Sequence, residues 1–180
     1  MKHLYEYKKY ALLPKDLRQM NLLYHSTWLE YFEKILKDDE LYGTDMYDSG
    51  VSNSRNKHYA FGMNDDEFGH NVGEIQLILD RDKIKQNYKI NAFDWEEYKR
   101  TDNKTGEYSN YHQPEDKIIT DKIKNIHKYI IGLHIVKNDI LLDIIENKLI
   151  LNKIKEYNWL VFDEDWNNIN NSVLKMSKNQ

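Results

Sequence analysis

Apolar and polar positions alternate along Gly73-Glu74-Ile75-Gln76-Leu77-Ile78-Leu79-Asp80, which sets Ile75, Leu77 and Leu79 on one face of the clearest strand the chain predicts. An earlier apolar run, Leu22-Leu23-Tyr24, ends on His25 and reads as another strand. A helix should follow it at once. Thr27 is the expected N-cap, Glu30 completes the capping-box spacing, and Leu29, Phe32, Ile35 and Leu36 recur at helical intervals up to about Glu40. His25 would then stand at the C-terminal end of a strand, where open sheets tend to bind ligands. A histidine there serves equally as a turn cap or a satisfied core group.

The remaining elements follow the same logic. Residues 1–20 mix Tyr, Leu and Lys around Pro14 and read as an N-terminal extension with a short helix and turn. Val51 to Arg55 reads as a short strand, Arg81 to Gln86 as one helical turn, and Tyr88 to Ile90 as a short strand. Phe93 to His112 is long, polar and aromatic, the kind of loop that carries function or moves. Asp116 to Thr120 and the apolar stretch from Lys128 to Val136 predict two more strands, the second central in a sheet. Asn138 or Asp139 should cap a helix running through Leu149, Trp159 to Phe162 should form a last strand, and 167–180 should be a flexible tail. Without repeats or a linker, residues 1–180 predict a single α+β domain in which strands outnumber helices.

Composition narrows the chemistry. The 14 Tyr and 4 Trp bring aromatic surface that must be buried or used for stacking. The net charge of −4 gives no global attraction to nucleic acid or anionic membrane, although Lys117, Lys122, Lys124 and Lys128 make a modest basic run. With no cysteine, disulfides, thiolate metal sites and cysteine nucleophiles are excluded. Lysines and Glu6 interrupt the N-terminal residues, so no signal peptide is expected, and no run approaches the ~18 apolar residues of a membrane span. A soluble protein of the cytoplasm is expected. The 7 Gly form neither a dinucleotide fingerprint nor a phosphate loop, and the 7 His show no zinc-protease spacing.

Three short pieces fall at the edges of predicted strands: Tyr24-His25-Ser26-Thr27, Ser52-Asn53-Ser54-Arg55 and Gln113-Pro114-Glu115. In this order and spacing they resemble the ADP-ribosyltransferase superfamily, whose members carry an Arg or His on the first strand, a Ser-x-Ser motif on the second, and a catalytic Glu opening a later strand. The segments Gln76 to Lys83 and Ile126 to Ile130 also look like uncharacterised phage-encoded relatives of that superfamily. The resemblance spans residues 22–136. It implies a pair of packed, mixed β-sheets with flanking helices, and NAD as substrate with no metal.

Residue by residue, the resemblance implies that Glu115 sits under the nicotinamide-side ribose as the catalytic carboxylate and that Gln113 faces the acceptor, with Tyr111 packed against it. It implies that His25, beside Tyr24, holds the adenosine-side ribose, that Ser52 or Ser54 orients Glu115, and that Arg55 pairs with the pyrophosphate. The acceptor would be macromolecular, a host protein in a phage or bacterial setting or else a nucleic acid, and the oligomeric state is not legible. Pro114 and the mixture of a His first motif with Ser-x-Ser and Gln-x-Glu depart from the family pattern. Glu74, heading the strongest strand, is a second candidate carboxylate. The rival expectation is an inactive scaffold of the same fold that inhibits a host defence or transcription complex, with Asp38 to Glu40, Asp45 to Asp48 and Asp163 to Asp165 mimicking nucleic acid.

Overall fold

The computed structural model describes residues 20–43, 51–54, 73–94 and 114–176. The expected N-terminal extension, the loop after Phe93, and the residues Arg55, Tyr111 and Gln113 lie outside them. The strands are β1 (Leu22–Thr27), β2 (Glu40–Tyr42), β3 (Val51–Ser54), β4 (Ile75–Asp80), β5 (Ile90–Asp94), β6 (Pro114–Ile118), β7 (Lys122–Lys124), β8 (Ile130–Ile135) and β9 (Leu160–Phe162). The helices are α1 (Leu29–Asp38), α2 (Arg81–Lys85), α3 (Leu141–Glu146), α4 (Lys148–Tyr157) and α5 (Asn170–Met176). The class is α+β. Seven strands form one sheet in the order β5-β6-β3-β1-β4-β8-β9, and β2 with β7 makes a separate two-stranded ribbon.

Every pair in the large sheet is antiparallel except β8 with β9. That exception follows from connectivity, because α3 and α4 carry the chain back across the sheet before β9 begins. At the β8–β9 contact a Cβ on Gly132 would meet the Leu160 carbonyl oxygen at 2.6 Å, so the close parallel approach depends on a residue without a side chain. Along the β4–β8 pair the register shifts between Ile78 and Leu79, and Ile131 is the extra residue of a bulge.

The alternation read in β4 holds, since Ile75, Leu77 and Leu79 are all buried in the main core. Its other phase is buried too, with Gln76 at 1% and Ile78 at 0% exposure. β4 is central, so both of its faces are covered. The main core lies on one face, where Phe32, Ile35 and Leu36 of α1 and Ile150, Leu151 and Ile154 of α4 pack on the sheet. Each such side chain contributes roughly 1.5–3 kcal/mol by leaving water. The other face holds a smaller cluster of Leu22, Tyr24, Ile78, Phe162 and Trp166.

Three expectations are corrected. The first helix begins at Leu29 with Trp28 at the N-cap position and no side-chain cap of its own, so Thr27 is the last residue of β1. The single helix expected through Leu149 breaks at Asn147, whose side-chain oxygen accepts hydrogen bonds from the Leu149 and Ile150 amides at 3.1 and 3.2 Å and starts α4. The tail is helical over Asn170–Met176 rather than loose. It is pinned because the Asn170 side chain accepts from the Val161 amide at 2.8 Å and donates to the Trp159 carbonyl at 2.8 Å, and because Val173 is buried.

Among the described residues, β1 meets β3 at the register pair Tyr24 with Ser54. The seam is bridged by side chains. Arg81, the first residue of α2, donates from Nε to Asp116 on β6, whose side chain is fully buried. The link runs from the end of β4 past β1 and β3. Removing one partner of such a pair strands a buried charge, which costs about 3–5 kcal/mol; because Arg81 is partly exposed, the low end of that range applies. Arg81→Met should therefore lower stability by about 3 kcal/mol in urea unfolding, and Arg81→Met with Asp116→Leu should recover most of the loss. Equal losses in the single and double variants would deny the coupling.

Candidate functional site

The ladder fixes where the sequence-predicted residues stand. Tyr24 on β1 pairs with Ser54 on β3, and Ser54 pairs with Glu115 on β6. The row continues to Phe93 on β5 in one direction and to Ile78 and Gly132 in the other. Tyr24, Ser54 and Glu115 thus occupy one cross-strand row of three neighbouring strands, although they come from motif pieces far apart in the chain. Ser52 is two positions from Ser54 and has the same phase; it pairs with Lys117.

His25 does not share that phase. It is one residue beyond Tyr24 and pairs with Leu77, whose phase belongs to the main core. Asn53 and Asp116, which pair with each other and are fully buried, also have the core phase. A one-residue step along a strand turns a side chain to the opposite face, and that step separates His25 from the Tyr24 row. Gln113 and Arg55 lie outside the described residues.

Glu74 has a different task. Its carboxylate accepts a hydrogen bond from the Leu29 amide at 3.0 Å, and its own amide donates to the Thr27 carbonyl at 2.9 Å. A remote carboxylate therefore serves the exposed amides that open α1, where a negative group also suits the helix dipole. The neighbouring Gly73 has no room for a Cβ, which would stand 2.8 Å from the Thr27 backbone nitrogen and oxygen. The β1–α1 turn is clamped from outside.

The face that carries Tyr24 has further polar residues. Ser26 pairs with Gln76 on β4, and Gln76 pairs with His134 on β8. His134 Nδ1 lies 3.2 Å from Gln76 Oε1, and its ring stacks on Trp166 with centroids 3.8 Å apart and planes at 21°. Tyr24 meets Trp166 edge-on at 6.0 Å, and burial pushes its phenol well above the ordinary tyrosine range. Gln76, His134 and Trp166 had no role in the motif reading. The signal open to a sequence reader was a glutamine and a histidine at matching positions in two otherwise apolar strands.

Residues of two of the acidic stretches are engaged internally, and Asp45 to Asp48 lies outside the described residues. Asp39 accepts from the His127 amide at 3.1 Å and lies 2.7 Å from His127 Nδ1. Glu40 accepts from Lys122 at 2.7 Å and from Tyr42 at 2.7 Å; the Lys122 hydrogen bond first, then that of Tyr42, holds its carboxyl below the ordinary range. Asp163 accepts from the Asn167 amide and side chain at 2.8 and 3.0 Å. Such internal pairing leaves Asp39, Glu40 and Asp163 less suited to mimic a phosphate backbone. Among the described residues no three His, Asp or Glu side chains gather as a metal site, and no helix is long and apolar enough to cross a membrane.

Compared with protein-family models, curated proteins and solved structures, the chain has no match.

Two outcomes test these assignments. Glu74→Ala should destabilise the protein by about 1 kcal/mol, the cost of a lost helix cap, in thermal or urea unfolding; an unchanged midpoint would remove the capping role. Because the Glu40 carboxyl titrates below its unfolded value, its contribution is present above the ordinary carboxylate range and fades as pH falls through the lower, folded value. Glu40→Gln should therefore flatten part of the acid limb of the stability curve and leave neutral pH nearly unaffected beyond the lost ion pair.

Proposed function

We propose that the chain is an NAD-dependent mono-ADP-ribosyltransferase acting on a macromolecular acceptor, a host protein in a phage or bacterial setting. The observation that carries the reading is the cross-strand row Tyr24–Ser54–Glu115, because it brings three separate motif pieces onto adjacent strands in one register. The α+β class supports the reading; the described sheets are one of seven strands and a two-stranded ribbon, where the resemblance implies a packed pair.

The chemistry suits these residue types. Cleavage of the nicotinamide–ribose bond passes through an oxocarbenium-like state, as glycoside hydrolysis does. A carboxylate at Glu115 would accept from the ribose 2′-hydroxyl and stabilise the developing positive charge, while Ser54, paired with it in the ladder, or Ser52 orients it. Gln113 would face the acceptor, and the planar guanidinium of Arg55 would pair with the pyrophosphate. His25, on the phase of Leu77, keeps its adenosine-side role only for a ligand that reaches that phase of β1.

The phase of His25 and the burial of Tyr24 favour a second reading, an inactive scaffold of the same fold that inhibits a partner complex by surface contact. One experiment separates the two. Incubation with labelled NAD and host lysate should give free nicotinamide and a labelled macromolecule, and Glu115→Gln should depress turnover by ~10² or more with NAD binding nearly intact, the scale of losing one preorganised electrostatic contact. Gln113→Ala should spare NAD hydrolysis and reduce transfer. Full activity in Glu115→Gln would remove the catalytic assignment, and an inert wild type would leave the scaffold.

A further inference from the structure

Gln76 is 1% exposed, and only one end of its amide is used. Its Oε1 lies 3.2 Å from His134 Nδ1, whereas its Nε2 is buried without a hydrogen-bond partner among the described residues. A buried amide donor left unmade is costly, and reversing the amide only moves the deficit to the oxygen. Its partner His134 carries Trp166, which stacks on the imidazole and is 3% exposed.

The cover itself is strained. Trp166 has φ 64°, a left-handed conformation that bulky residues rarely adopt; the other non-glycine residues with positive φ among those described are Asp39, Asn125 and Asn158, types that tolerate it. The strained residue belongs to a short turn held by the Asp163 hydrogen bonds to Asn167 and by the Trp166 amide donating to the Asp163 carbonyl at 2.9 Å. Its contacts with the sheet include ring contacts to Tyr24, His134 and Phe162. A flat indole lying on a flat imidazole, whose other neighbour is an amide with an unmade donor, has the shape of a slot for a planar ring.

We propose that Gln76, His134 and Trp166 form a ring-binding subsite on the face of the Tyr24 row, with the Trp166 indole as its displaceable occupant. The ligand class is a planar nitrogen heterocycle with a neighbouring donor and acceptor on one edge. Such an edge satisfies the Gln76 amide in either orientation, and the ring replaces the indole on His134. This inference rests on the proposed function for its ligand, a dinucleotide, whose nicotinamide and adenine rings both carry that chemistry. Gln76 lies one strand from β1 and one same-face position along from the Tyr24 row, within the span of a dinucleotide that reaches Glu115.

The test is calorimetric titration of the full chain with nicotinamide and, separately, with adenosine. One ring should bind the wild type. Gln76→Met should weaken that ring about tenfold by removing the hydrogen-bonding edge. Trp166→Phe should bind it several-fold more tightly, because a smaller occupant is easier to displace; a merely structural Trp166 would lose stability with no gain in ring affinity. The ring that responds to Gln76→Met identifies which end of the dinucleotide is read. No heat from either ring at about 10 mM, which excludes even millimolar dissociation constants, would overturn the subsite. So would unchanged affinity in Gln76→Met, or no gain in Trp166→Phe. Ring binding without NAD cleavage would remove the proposed function and keep the subsite, and Glu115-dependent cleavage without ring binding would do the reverse.

Discussion

The ion pair between Arg81 and Asp116 is a side-chain constraint that ties the end of β4 to β6 across two intervening strands. Backbone pairing joins β1 to β4 over six register pairs and, among the described residues, β1 to β3 at Tyr24 and Ser54. Arg81 leaves the end of β4 at the start of α2, where Asp80 caps the helix by accepting from the Lys83 amide at 3.0 Å. The cation is thereby held at a defined exit and reaches the buried carboxylate of β6. A buried charge pair adds little net stability against an apolar substitute of similar shape. Its value here is geometric, since it fixes the strand that carries Glu115 relative to the strand that carries Tyr24.

Periodicity was enough to find the elements with long apolar patterns. β4, β8 and the helical stretch from Leu29 were legible because Ile75, Leu77, Leu79, Phe32, Ile35 and Leu36 repeat at unmistakable intervals. The ribbon of β2 and β7 was not, because three-residue strands hold too few alternations to register. The helix start was misread for a physical reason of another kind. The Thr27–Glu30 spacing offered a local cap, and a distant carboxylate, Glu74, took the position instead. Tertiary contacts of this sort leave no mark in a local window. The same holds for the C-terminal helix, whose order comes from Asn170 bonding to the backbone around β9.

The site was legible as a set of strands and less so as a set of side chains. Spacing alone does not make β1, β3 and β6 neighbours, yet the motif order pointed to it, and the ladder brings Ser54 and Glu115 into direct register. The phase of His25 was hidden, because phase depends on which residue of β1 pairs with Ser54. Pairing at Tyr24 instead of His25 is a shift of one residue, and it exchanges every side chain between the two faces.

The two faces of the sheet have different obligations, and this bears on where chemistry can reside. The crossover from β8 to β9 must place α3 and α4 on one side, and with α1 they bury the phase of Leu77, Leu133 and Val161 under a continuous apolar layer. Polar groups of that phase, Asn53 and Asp116, are fully buried, and Asp116 is committed to the seam. On the opposite face, the small cluster is completed from outside the sheet by Trp166 alone among the described residues. An aromatic in a left-handed backbone conformation is a poor choice for a purely structural cover, and an amide with an unused end is a poor choice for a core. Both occur together on the face of the Tyr24 row. Departures from local energetic preference that cluster on one surface, while the other face follows the ordinary rules of packing, are where a fold gives up stability to function.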